Sequence, residues 1–428
     1  MPEQKKAREN SNIDNLIEQA VFGADAATKD KQRRLIRETA LAQGIFPASI
    51  QGLYEAAGKG KFHGLTVPAI NIRGITYDVA RAVIRAAMKD NVGPFIFEIA
   101  RSEIGYTDQS PAEYATCVLA AAVKEGFKRA VFIQGDHYQV RRAMYRENPA
   151  AELNDIKKLI KDSVEAGFYN IDIDASTLVD ISKTDLTEQQ EKNSQVTAEM
   201  TRYIRSIQPE GVTISVGGEI GEIGKGNSTV GDLKAFMDGY LRQLPESVKG
   251  ISKISVQTGT SHGGVVLPDG SIAKVSIAFE TLKELSNMAR KEYGLGGAVQ
   301  HGASTLPDEA FDMFPKVDTL EVHLATGFQN IIYDSSHFPK ELLERINRHL
   351  DTACNDERKT GETEEQFLYK TRKKAFGDFK KELWRLPEDI NRQIMQELEE
   401  RFSLIFHKLN VTNTVKLVDK HINKPANK

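Results

Sequence analysis

This 428-residue chain predicts an α/β fold built as a closed (β/α)8 TIM barrel with helical additions at both ends. Two observations carry that expectation. Between Leu65 and Asp334, short apolar runs with β character alternate with longer helix-like runs, which is the pattern of a parallel sheet. Polar residues also stand at the C-terminal ends of nearly all these runs. A barrel gathers such ends on one face, whereas an open doubly wound sheet concentrates them at one switch point. The open sheet is the competing architecture.

Residues 1–60 read as a polar, helical N-terminal segment that ends in the amphipathic run SIQGLYEAAGKGKF. The barrel domain is expected over 61–335. Its eight strands are VPAINI (67–72), FIFEIA (95–100), AVFIQG (130–135), YNIDID (169–174), VTISVG (212–217), ISVQTG (254–259), GAVQHG (297–302) and TLEVHL (319–324). Helical runs such as DVARAVIRAAMKD, PAEYATCVLAAAVKEG, AAELNDIKKLIKDSVEAG and IAFETLKELSNMARKEYG lie between them. Residues 336–428 read as a C-terminal helical extension. SSHFPKELLERINRHL opens it with a Ser cap and a Pro start. Later, Ile390, Ile394, Leu398, Phe402, Ile405 and Leu409 recur at helical spacing. That apolar stripe implies packing on the barrel or on a second copy, so a homo-oligomer is expected.

Composition excludes several classes. A net charge of −3 gives no general reason to expect nucleic acid or an anionic membrane as partner. The two cysteines, Cys117 and Cys354, share no metal-ligand or disulfide spacing and fit a reducing compartment. There is neither a signal-like N-terminus nor an apolar run of about 18 residues, so a cytoplasmic protein is the expectation.

Four of the nine histidines stand at or just after strand-like runs: His137 in QGDHYQ, His262 in TGTSHGG, His301 in VQHGAS and His323 in EVHLATG. Taken singly, a buried histidine is more often a hydrogen-bonded core residue than a ligand. Several in matching positions after different strands reverse that weighting. In a barrel they converge with Asn71, Glu98, Asp136, Asp174 and Glu219 on one face. Three imidazoles leave an open position on a zinc-like ion, which polarises a carbonyl and acidifies the adjacent C–H. Asp136 is the candidate acid/base. Asp172 shares the strand parity of Asp174, and one of the two is open to a structural pairing with lysine. Glycine-rich pieces after the last strands form a candidate phosphate site from the N–H groups of Gly263, Ser304 and Thr326 and the hydroxyls of the latter two.

The ordered series PAINIRG, GDH, IDAS, GEIG, GTSHGG, HGAS and VHLAT, from Ser49 to Asp334, resembles the class II, metal-dependent fructose- and tagatose-bisphosphate aldolases. The resemblance implies an aldolase that reversibly cleaves a phosphorylated ketose to dihydroxyacetone phosphate and an aldehyde. It implies zinc, or another divalent metal, on His137, His262 and His301, with Asp136 catalytic. Asp174 and Glu219 would hold a second cation or orient the ligands. Substrate or phosphate contacts would fall on Asn71, Gly263, Gly302, Ser304 and Thr326. Three departures stand out. His323 replaces the family's substrate-contacting asparagine and is expected to face substrate rather than metal. Thr305 replaces a glycine and narrows the phosphate loop. No carboxylate in the loop after Glu219 (Glu222 or Asp232) matches the family's proton-abstracting residue.

Three other readings stay open: a metal-dependent ketose epimerase or isomerase, a non-catalytic companion subunit or sugar-phosphate-binding protein, and a lysine Schiff-base aldolase. Against the last, Lys253 is expected to precede its strand and so to lie at the wrong end of the barrel.

Overall fold

A computed structural model describes residues 2–221, 226–259, 267 and 277–422, with side chains from residue 12 onward. The strands are β1 (Phe46–Ala48), β2 (Val67–Asn71), β3 (Ile96–Ala100), β4 (Ala130–Gln139), β5 (Asn170–Asp174), β6 (Ser215–Glu219), β7 (Lys253–Val256), β8 (Ala298–Gln300) and β9 (Glu321–Leu324). All pairings are parallel, and β2 to β9 close into a ring because β2 pairs with both β3 and β9 while β4 pairs with β5. Closure excludes the open sheet. Strands β2, β3 and β5 are buried along their whole length, as expected where one face packs on the barrel interior and the other on helices.

The N-terminal segment departs from its reading in one respect. Phe46–Ala48 is a strand, paired with the first residues of β4 below the point where β5 begins. Asn170 ties this corner together. Its Oδ1 accepts from Ile50 N at 2.9 Å, and its Nδ2 donates to Ala48 O and Ile133 O at 3.2 and 3.0 Å. Such a strand is set by a partner about 80 residues away, so no local signal marks it.

β4 is the longest strand and carries a register shift against β5 between Gly135 and Tyr138. His137 sits inside this irregularity with a left-handed φ of 41°. The extra residue of a bulge re-aims a side chain, and here it lets adjacent Asp136 and His137 both reach the barrel mouth. Gly135 is obligatory beside it, since a Cβ there would overlap the Tyr138 ring.

The C-terminal extension packs on the barrel. Leu398, Phe402, Ile405 and Phe406 of the helix Glu388–Lys408 are buried. The Phe402 ring lies 4.8 Å from that of Phe328, and Glu399 accepts from Arg85 at 2.7 Å. Phe376 presses on Gly74, in the loop after β2, closely enough that no Cβ fits between them. The extension therefore reaches the same end of the barrel as the strand termini. Among the described residues no helix is long and apolar enough to cross a membrane. Phe402→Ala is expected to cost about 3–5 kcal/mol by cavity formation, read as a lower midpoint in denaturant unfolding.

Candidate active site

The C-terminal ends of β4, β5, β6, β8 and β9 bring together Asp136, His137, Asp174, Glu219, His301 and His323. His137 Nε2 and His301 Nδ1 face one another at 2.9 Å, with Asp136 Oδ1 3.8 and 4.0 Å from them. The opposite nitrogens are held from behind. His137 Nδ1 donates to Asp174 Oδ2 at 3.2 Å, with Glu219 Oε2 3.1 Å away, and His301 Nε2 bonds Ser255 Oγ at 3.0 Å. Asp174 is anchored in turn by Ser176 N, Ser176 Oγ and Gln139 Nε2 at 3.1, 2.6 and 2.6 Å.

These donors fit a divalent cation. Two imidazole ligands of a tetrahedral ion at about 2.0–2.1 Å place their nitrogens roughly 3.3 Å apart, close to the observed separation. Each ring also has its other nitrogen held by an oxygen, and the Asp174 carboxylate, which can only accept, sets the His137 tautomer a metal ligand needs. Asp136, His137 and His301 form one group able to hold an ion; His137, Asp174 and Glu219 form a second. His262 and Gly263, also expected at this site, lie outside the described residues, as does Glu222.

Burial and charge set the protonation of the cluster. Burial would raise Asp174, but hydrogen bonds from His137, Ser176 and Gln139 hold it below the usual carboxylate range. Glu219 is pushed up to about 7 by burial and by the neighbouring Asp174 charge. Burial alone would lower His137, yet Asp136 and Glu219 hold it well above the usual imidazole value. A bound cation replaces such protons.

Below this layer lies a polar network that the sequence reading did not assemble. His323 is only 4% exposed. Its Nε2 donates to Glu321 Oε1 at 2.6 Å, its Nδ1 lies 2.9 Å from Glu98 Oε2 and 3.2 Å from Asp136 Oδ1, and its ring centroid is 4.0 Å from that of His301. Glu321 also accepts from Tyr54 and Lys253. Gln134 donates to Glu98 and Glu321 at 3.1 and 3.0 Å.

Lys253 requires a correction. It begins β7, rather than preceding the strand, and its side chain, 1% exposed, crosses the barrel interior to Asp172 at 2.9 Å and to Glu321. Gly217 makes room, since a Cβ there would overlap Asp172 Oδ1. Asp172 is thus the structural, lysine-paired aspartate of the IDIDAS run. Burial would lower Lys253, but the two carboxylates hold it above its ordinary value, so it is a charged ammonium. A Schiff-base nucleophile needs the opposite shift.

The remaining expected contacts fall around Arg73. Its Nε donates to Glu103 Oε1 at 2.8 Å, and its Nη1 donates to Gln329 Oε1 at 2.9 Å and Thr326 Oγ1 at 3.3 Å. Asn71 donates to Glu103 Oε2 at 2.6 Å. Ser304 Oγ accepts from Gly327 N at 3.1 Å, which joins the loops after β8 and β9, and Gly302 takes the turn there at φ 68°. Asp232 caps its own helix by accepting from Thr229 N and Oγ1 at 2.8 and 2.6 Å.

Sequence reasoning therefore missed Arg73 and Glu321, and it placed Glu98 on the converging face without giving it a role. Parity was the available signal for Glu321, two residues before His323 on one strand, and position was the signal for Arg73, two residues past the end of β2.

Fold and site together define a parallel barrel enzyme scaffold with an imidazole–carboxylate centre of metal-ligating type at its mouth. The family model for class II fructose-bisphosphate aldolase matches residues 49–383, and the chain belongs to that family. Solved structures share the fold. A fructose-bisphosphate aldolase from Campylobacter jejuni is 18% identical, over 86% of this chain and 96% of that one, with a TM-score of 0.52. The YdjI aldolase from Escherichia coli K12 is 13% identical, over 86% and 99%, with a TM-score of 0.51. The fructuronate-tagaturonate epimerase UxaE from Cohnella laeviribosi is 11% identical, over 92% and 86%, with a TM-score of 0.52. No curated protein is similar enough in sequence to be matched.

Removing the Lys253 ammonium leaves two buried carboxylates facing each other. Lys253→Met is expected to destabilise the protein by about 3–5 kcal/mol. Adding Asp172→Asn is expected to restore part of that loss, and a double-mutant cycle in urea measures the coupling.

Proposed function

We propose that this protein is a divalent-metal-dependent aldolase that reversibly cleaves a phosphorylated ketose, fructose 1,6-bisphosphate or an epimer, to dihydroxyacetone phosphate and an aldehyde. The observation that carries the reading is Asp136, whose carboxylate lies 3.8 and 4.0 Å from the facing nitrogens of His137 and His301. An acid/base is thus placed beside the position a metal would take. His137 and His301, with His262 on the family pattern, are the residues that would hold zinc or a similar ion. When bound, such an ion supplies a Lewis acid for the ketose carbonyl.

The chain's own residues handle the hydroxyl proton, orient the metal ligands and receive the phosphate. Asp136 takes the proton of the C4 hydroxyl as the C3–C4 bond breaks, and returns it when the aldehyde adds in the reverse direction. Asp174 keeps the His137 imidazole in the required tautomer, and Ser255 holds the orientation of the His301 ring. Arg73, with Thr326 and the Ser304 loop, forms the cationic and hydroxyl-bearing rim that suits a terminal phosphate.

A ketose epimerase is the second reading. What favours it is the likeness in fold to the UxaE epimerase over 92% of this chain, together with His323 where class II aldolases place asparagine. Product analysis on ketose bisphosphates separates the two: trioses mean an aldolase, a new six-carbon sugar an epimerase. Cleavage is expected to be abolished by a chelator and restored by zinc. Asp136→Asn is expected to lower kcat by about 10²–10⁴-fold, with the fold unchanged by circular dichroism. Cleavage that survives complete metal removal would sink the reading.

A further inference from the structure

Beneath the His137–His301 position, the ring of His323 is oriented as a ligand. Its Nε2–H is fixed by Glu321 Oε1 at 2.6 Å, and Glu321 is itself clamped by Lys253 and Tyr54. A carboxylate behind one ring nitrogen is the arrangement that aims the other nitrogen at a metal. That other nitrogen, Nδ1, is buried and lies 2.9 Å from Glu98 Oε2 and 3.2 Å from Asp136 Oδ1, yet it meets neither with hydrogen-bonding geometry. The three donor atoms lie within 4.8 Å of one another. A buried nitrogen directed between two carboxylate oxygens, without a proton-sharing alignment to either, matches three ligands of one cation better than a hydrogen-bonded triad.

The surrounding charge supports the same conclusion. Glu98, Asp136, Asp172 and Glu321 are each at most 5% exposed, and Lys253 is held between only two of them, Asp172 and Glu321. Glu98 meets an imidazole and the Gln134 amide instead. Buried charges are paired or coordinate metals.

We infer that His323 Nδ1, Glu98 and Asp136 form a second site for a first-row divalent cation, with Asp136 shared between this ion and the one at His137 and His301. The site differs from the Asp174–Glu219 position, which lies on the far side of the His137 ring. Two-metal centres have ions about 3.5–4 Å apart, a span that one bridging carboxylate covers. The residue that departs from the family's asparagine is the one that supplies the nitrogen. Asp136 Oδ1 is the oxygen that faces both positions, 3.2 Å from His323 Nδ1 and 3.8 and 4.0 Å from His137 Nε2 and His301 Nδ1, so the sharing engages one oxygen of the carboxylate. The inference rests on the first metal position proposed above, and the test separates the two.

The full-length protein is stripped of metal, titrated with Zn2+ and with Co2+, and its stoichiometry measured by elemental analysis and by the cobalt visible spectrum. The wild type is expected to bind two equivalents. His323→Asn and Glu98→Gln are each expected to lose one, with unchanged circular dichroism, and His137→Ala is expected to lose the other. A crystal of the wild type soaked in Zn2+ is expected to show an anomalous peak between His323, Glu98 and Asp136, which requires no variant to fold. One equivalent in the wild type, unaffected by His323→Asn and Glu98→Gln, overturns this inference and leaves the first position standing. Two equivalents, one of them lost in Asp174→Asn and neither in Glu98→Gln, also overturn it. No bound metal at all ends both readings.

Discussion

The Lys253 ammonium, buried in the barrel between Asp172 and Glu321, is the interaction on which the candidate site rests. Taking an ammonium and two carboxylates out of water is expensive, and their attraction offsets that cost only where geometry is good and the remaining donors are satisfied. Here Gln134 and Tyr54 supply hydrogen bonds to Lys253 and Glu321. The result is a rigid polar floor. Glu321 orients His323, His323 packs against His301, and His301 faces His137. Each step fixes a ring by a contact on its far side, so the upper layer inherits its geometry from the layer below.

The bulge in β4 solves a separate problem. Successive residues of a regular strand point to opposite faces, yet Asp136 and His137 are both needed at the mouth. A left-handed residue inside a register shift turns the second of them inward. For a histidine that conformation is uncommon and strained, and such strain persists only when the surroundings hold it. The bond to Asp174 and the packing of Tyr138 behind Gly135 are what hold it.

At the rim the fold draws on distant segments. The extension after Lys340 returns to the strand termini and places Phe376 on Gly74 and Gly377 against Tyr106. The loop after β2, which carries Arg73, is thereby sandwiched between the barrel and the extension. Substrate-facing groups are best held by elements that are themselves packed, and the helix Glu388–Lys408 gives this rim such support through its own apolar face.

Sequence alone determined where the strands of the ring lie, because parallel strands buried on both faces leave apolar runs that alternate with amphipathic helices. It also placed Asp136, His137, Asp174, Glu219 and His301 at strand ends on one face, because residues there converge in any closed barrel. It did not reveal β1, whose pairing partner is distant in the chain, nor the inward turn of His137, which depends on a register shift. Lys253 read as a residue outside the strand because a lysine at a strand start is usually solvated. Only the closed ring, with Asp172 and Glu321 opposite and Gly217 leaving space, makes its burial favourable. His323 likewise carries no local mark of its partners. Its pairing with Glu98 and Asp136 arises from the order in which β9, β2, β3 and β4 lie side by side, and that order is a property of the assembled barrel.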